Sequence, residues 1–65
     1  MEQTTLDAFL EIYAQLQTMT NNLYNLADAA VDTRNYNDAN LLQARADILY
    51  EQMENLNAVI SEYEV

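Results

Sequence analysis

Three sets of carboxylates stand at the spacing that brings side chains together on successive turns of a helix: Asp7 with Glu11, Asp28 with Asp32, and Asp47 with Glu51 and Glu54. Such groups can chelate a hard cation or divide general acid and base roles between them. The chain offers them no help. It has no histidine, no cysteine and no lysine, so the usual zinc ligand sets cannot be written and no imidazole, thiolate or amine is present to share the chemistry. Each set falls on a polar stripe with no cleft-forming pattern around it. The segment "NYNDAN", residues 35–40, has the oxygen-rich look of a calcium loop but lacks the turn glycine and the closing bidentate glutamate. It reads as a turn followed by a helix cap. Glycine-rich phosphate loops are excluded outright, because the chain contains no glycine. The sequence therefore predicts a non-enzymatic protein with no catalytic, cofactor-binding or metal-ligating residues and no cofactor.

Eleven acidic residues against two arginines give a formal charge of -9. Phosphate backbones and anionic membrane surfaces are repelled by such a chain, and a basic protein is the natural partner. The first ten residues, "MEQTTLDAFL", have neither a basic start nor a long apolar run, and no segment reaches membrane-spanning length. Neither direct nucleic-acid binding nor membrane association is expected. A cytoplasmic location is, in the producing cell or in an infected host.

The elements that position these groups follow from hydrophobic period, since neither glycine nor proline interrupts it. Phe9, Ile12, Leu16, Met19, Leu23, Leu26 and Ala30 recur at alternating spacings of three and four, which marks one stripe of a helix over about residues 5–32. Ala39, Leu42, Ala46, Leu49, Met53, Leu56, Ile60 and Tyr63 mark a second over about 38–63. Between them "DTRNYND" is polar and aperiodic, with a turn over about 33–37. Thr4 and Asp7 resemble a capping box for the first helix, and Asn37 or Asp38 can cap the second. The fold class is all-α: a single-domain, antiparallel, coiled-coil-like two-helix hairpin spanning residues 1–65, with Met19 facing Met53 and Leu23 facing Leu49 across the seam. The competing arrangement is one continuous rod that dimerises in antiparallel fashion.

Helix 1 carries a further row, Leu6, Leu10, Tyr13, Gln17, Thr20, Tyr24, Ala27 and Val31, turned about 100° from the first. A hairpin of this length has too small a core to be expected to stand alone. The row Leu6, Leu10, Tyr13, Tyr24, Ala27 and Val31 is accordingly the expected partner or dimer interface, and a two-fold homodimer closing a four-helix bundle is the simplest way to cover it. A docking groove for another protein is the alternative.

Acid placement gives the second functional expectation. Asp28 and Asp32 end helix 1, and Glu62 and Glu64 end helix 2, against the helix macrodipole. Carboxylates run the length of a rod about 40 Å long at 1.5 Å per residue. Asp28, Asp32, Asp47, Glu51, Glu54 and Glu62 are the expected partner-facing acids. A row of negative charge suits an inhibitor or regulator that imitates a nucleic-acid backbone and occupies the basic channel of a nucleic-acid-handling protein, as a phage-type antagonist would. The competing reading is a structural or assembly subunit whose acidity serves only solubility.

Overall fold

The computed structural model describes residues 1–63, as two helices, α1 (Gln3–Asp32) and α2 (Tyr36–Tyr63), packed against each other as a hairpin. The molecule is a rod of 47 × 14 × 13 Å. Glu64 lies outside the described residues.

On α2 the buried row is Ala39, Ala46, Met53 and Ile60, with Leu42, Leu49 and Leu56 half-buried beside it. This is the stripe that period alone selects, except that Tyr63 at the open end is exposed. On α1 the seam differs. Thr20 and Ala27 are buried, and Leu6, Phe9, Tyr13, Leu16, Leu23 and Ala30 are half-buried. Ile12, Met19 and Leu26, expected to face α2, are instead 44, 47 and 54 % exposed. The helix is rotated by about 60° from the expected orientation at 3.6 residues per turn.

Side-chain size and polar satisfaction account for the rotation. Phe9, Leu16, Leu23 and Ala30 stay at the seam in either orientation, so the choice rests on whether Ile12, Met19 and Leu26 or Tyr13, Thr20 and Ala27 join them. Threonine and alanine at 20 and 27 let α1 approach the Ala39 and Ala46 row more closely than Met19 and Leu26 would. Burial of Thr20 leaves nothing unpaired, because its hydroxyl donates to the Leu16 carbonyl at 2.7 Å, with the Met53 Sδ only 3.5 Å away. Thr20 opposite Met53 and Tyr24 opposite Asp47 set a register one residue either side of the pairing expected from the sequence.

The turn closes without glycine. Helix α1 ends in the hydrogen-bond pattern of a Schellman motif: the Asn35 N–H donates to the Ala30 carbonyl at 2.7 Å and the Arg34 N–H to the Val31 carbonyl at 2.9 Å. Arg34 occupies the left-handed position with φ 62°, where glycine is the usual residue. The Thr33 hydroxyl donates, shared between them, to the carbonyls of Ala29 and Ala30, which also accept the Thr33 and Asn35 N–H groups. Helix α2 starts two residues earlier than expected. Asn35, rather than Asn37 or Asp38, precedes its first turn, and the Asn35 amide donates to the Asp38 carboxylate at 2.6 Å. At the other end, Glu2 stands at the N-cap with no side-chain cap bond, so the Thr4–Asp7 box does not form. Asp7 instead accepts from the Gln3 amide at 2.9 Å.

Two substitutions test this packing. Replacing Arg34 by glycine relieves the left-handed backbone and is expected to stabilise the hairpin by about 0.5–1 kcal/mol. The melting midpoint, read at fixed concentration by circular dichroism, should then rise by roughly 2–8 °C. Ala46 is fully buried, and Ala46→Leu should cost about 1–3 kcal/mol by holding the helices apart, measured by urea denaturation.

Candidate functional site

The seam leaves two flanks on the rod, and they differ in chemistry. On one flank lie the residues that follow the Phe9, Leu16, Leu23 and Ala30 row of α1 by one, namely Leu10, Gln17, Tyr24 and Val31, and those that follow the leucine row of α2, namely Gln43, Tyr50 and Asn57. Two observations fix this juxtaposition. The Tyr24 phenol donates to the Asp47 carboxylate across the pair, and Tyr13, Tyr50, Met53, Glu54 and Asn57 line a shared cleft of about 230 Å³. Asp7 and Asp28 fall on the same side by helical position. The flank thus alternates phenols with carboxylates along most of the rod.

The electrostatics of the tyrosines follow from these contacts. Tyr24 ionises above its ordinary range, first because its proton is held by Asp47, and further through burial and the charges of Asp47 and Tyr50. Tyr50 is raised chiefly by its hydrogen bond to Glu54, then by that carboxylate's charge, by burial and by the neighbouring Tyr13. Both phenols are therefore neutral donors at physiological pH. Each leaves an aromatic face beside a carboxylate, an arrangement that receives lysine or arginine side chains through cation–π and charge-assisted contacts together.

The residues singled out by sequence separate into distinct places. Ala27 is buried in the seam, and Leu6 and Tyr13 are half-buried in it, so the row expected to be free is largely consumed by the hairpin itself. Leu10 and Val31 remain exposed, on the tyrosine flank, and Tyr24 is half-buried there. Among the acids, Asp28, Asp47 and Glu54 lie along the tyrosine flank. Asp32 and Glu51 face outward from the backs of their helices, and Glu62 stands at the open end on the other side; all six are exposed. The participation of Tyr50, Met53 and Asn57 escapes a reading by apolar stripes, although Tyr50 and Glu54 stand one turn apart in the sequence.

The opposite flank has a different character. The residues one before the buried row are Ile12, Met19 and Leu26 on α1 and Arg45, Gln52 and Val59 on α2, with Leu41 and Ile48 a little further round. No carboxylate interrupts it between the two ends of the rod. A shallow groove of about 550 Å³ on the back of α1, lined by Glu11, Ala14, Gln15, Thr18 and Met19, contains a single titratable group. Among the described residues no set of three or more acidic side chains is placed to hold a metal ion, and no helix is long and apolar enough to cross a membrane.

The Tyr24–Asp47 bond gives a pH test. Because the folded state raises the phenol's pKa above 10.0, the bond's contribution to stability is complete below the unfolded pKa and is lost as pH climbs through the folded one. Wild type should out-melt Tyr24→Phe at neutral pH, and the gap should close above about pH 10. Phenolate absorbance should show Tyr24 ionising later than an unperturbed tyrosine. Comparison with protein-family models, with curated proteins and with solved structures finds no match to this chain, so its function is argued from the chemistry of the two flanks.

Proposed function

We propose that this hairpin is a non-enzymatic protein-binding module that acts stoichiometrically as an inhibitor or regulator of a basic, nucleic-acid-handling protein, by presenting a substitute for the nucleic-acid backbone. The observation that carries the reading is the sorting of charge. Asp7, Asp28, Asp47 and Glu54 share one flank with Tyr24 and Tyr50, while the other flank is free of acids over its middle. Charge added only for solubility has no reason to be sorted in this way. A channel that binds nucleic acid already holds lysine and arginine along a groove, and a narrow rod edged with carboxylates and phenols offers those groups what phosphates and bases offer. Direct binding to nucleic acid or to an anionic membrane is disfavoured by the net charge of -9. The reading places the protein where its partner works, in the cytoplasm of the producing or infected cell.

A second reading, an assembly subunit, has its own support in the exposure of Ile12, Met19 and Leu26. Self-association into a four-helix bundle is compatible with both, since a dimer that covers the apolar flanks leaves the acidic ones outward.

Capture of proteins from a native lysate on the immobilised hairpin separates the two. The expected partner is basic, is released by rising salt and is displaced by added DNA or RNA. The triple variant Asp28→Asn, Asp47→Asn, Glu54→Gln should lose at least ten-fold in affinity for it. Binding that survives this neutralisation with the same salt dependence overturns the antagonist reading.

A further inference from the structure

We propose that the apolar flank is a homodimer interface, in which Ile12, Met19 and Leu26 of one hairpin stack on the same three residues of a second copy related by a two-fold axis across the rods. The inference rests on the self-association just described and names the surface that performs it.

Three observations identify a second copy as the occupant. The first is electrostatic. Carboxylates occupy the tyrosine flank and the backs of both helices, so two copies of a chain with net charge -9 avoid acid-to-acid contact only when they meet through the flank that has none along its middle.

The second is the regularity of the α1 ladder. Ile12, Met19 and Leu26 recur at seven-residue intervals and are 44, 47 and 54 % exposed. Added to the hairpin seam, they widen the apolar face of α1 to three positions per heptad, the width that helices of a bundle use and a two-helix coiled coil does not need. A two-fold axis near Met19 sets Met19 against its own counterpart and Ile12 against Leu26. Stacking α1 on α2 instead would set the ladder against Arg45 and Gln52. Leu41, Ile48 and Val59 add apolar area beside the ladder.

The third is area. A face 47 Å long and 14 Å wide is roughly 650 Å² in outline, about 1,300 Å² for two copies, within the range of specific interfaces.

The test is a light-scattering concentration series on wild type and Met19→Glu, with helicity followed by circular dichroism. Position 19 lies outside the hairpin's own seam, so the variant should keep its helix content, while two facing glutamates should raise the dimer dissociation constant at least ten-fold. A wild type that stays monomeric at all concentrations overturns both the interface and the self-association. A Met19→Glu variant that dimerises as tightly as wild type overturns the interface alone. Should that variant lose its helices, single cysteines decide, since the chain has none of its own. Met19→Cys is expected to form a disulfide-linked helical dimer on oxidation and Gln17→Cys, on the tyrosine flank, is not; equal or reversed cross-linking overturns the proposal.

Discussion

Two helices side by side touch along one line, and every other property of this molecule follows from how little that line can cover. The rod, 14 Å by 13 Å in section, contains two helices and nothing else, so each helix can turn only one stripe inward. The stripe that is chosen sends the remaining residues to opposite flanks. In α1 it takes the small and half-polar members, Thr20 and Ala27, and leaves the large apolar ones, Met19 and Leu26, outside. The close approach at Ala39 and Ala46 and the exposed apolar flank are two consequences of the same rotation.

That rotation also marks where the sequence could be read and where it could not. The stripe of α2 is legible from Ala39 to Ile60 because its rival positions, Arg45 and Gln52 among them, are polar. The stripe of α1 is ambiguous because Phe9, Leu16, Leu23 and Ala30 can be joined at the seam either by Ile12, Met19 and Leu26 or by Tyr13, Thr20 and Ala27, and hydropathy favours Met19 over Thr20. Hydropathy does not count the Leu16 carbonyl that accepts the Thr20 proton, nor the Asp47 carboxylate that receives Tyr24. A threonine bonded within its own helix is a small, satisfied side chain, which is what a close contact needs. The turn is legible as a polar gap but not in its details. Arg34 in the left-handed region carries no local signal, since the residue that usually announces that conformation is absent from the chain. The tyrosine–carboxylate flank was legible only in part: its acids are visible in the sequence, but their grouping with Tyr24 and Tyr50 depends on the rotation.

Charge placement carries a cost that packing does not require. Asp28 and Asp32 lie in the last turn or so of α1, where negative charge faces the negative end of the helix dipole, and no basic residue occupies that last turn. Only Glu2, at the N-cap of α1, and Asp38, in the first turn of α2, are placed where the dipole favours them among the described residues. Each misplaced acid at an exposed site opposes stability by about 0.3–1 kcal/mol at low ionic strength. Moving the same charges to helix starts would preserve solubility without that cost. The place of Asp28 on the tyrosine flank is therefore better explained by the proposed contact of that flank than by the needs of the fold, while Asp32 on the back of α1 has no such account.

The two flanks make opposite demands on solvent, and a monomer satisfies only one of them. Carboxylates and phenols are well hydrated on the tyrosine flank, whereas Ile12, Met19, Leu26, Leu41 and Ile48 are held in water on the other. Closing the apolar flank against a second copy removes that area from water and adds no buried carboxylate from the middle of the rod. The outward edges of the resulting bundle are then both acidic. The proposed dimer contact and the proposed contact with a basic partner would thus lie on different sides of the same rod, and a two-fold axis would present the acidic edge twice, so that a partner with two basic grooves, or two copies of one, would be held by a single bundle with the gain in effective concentration that bivalence brings.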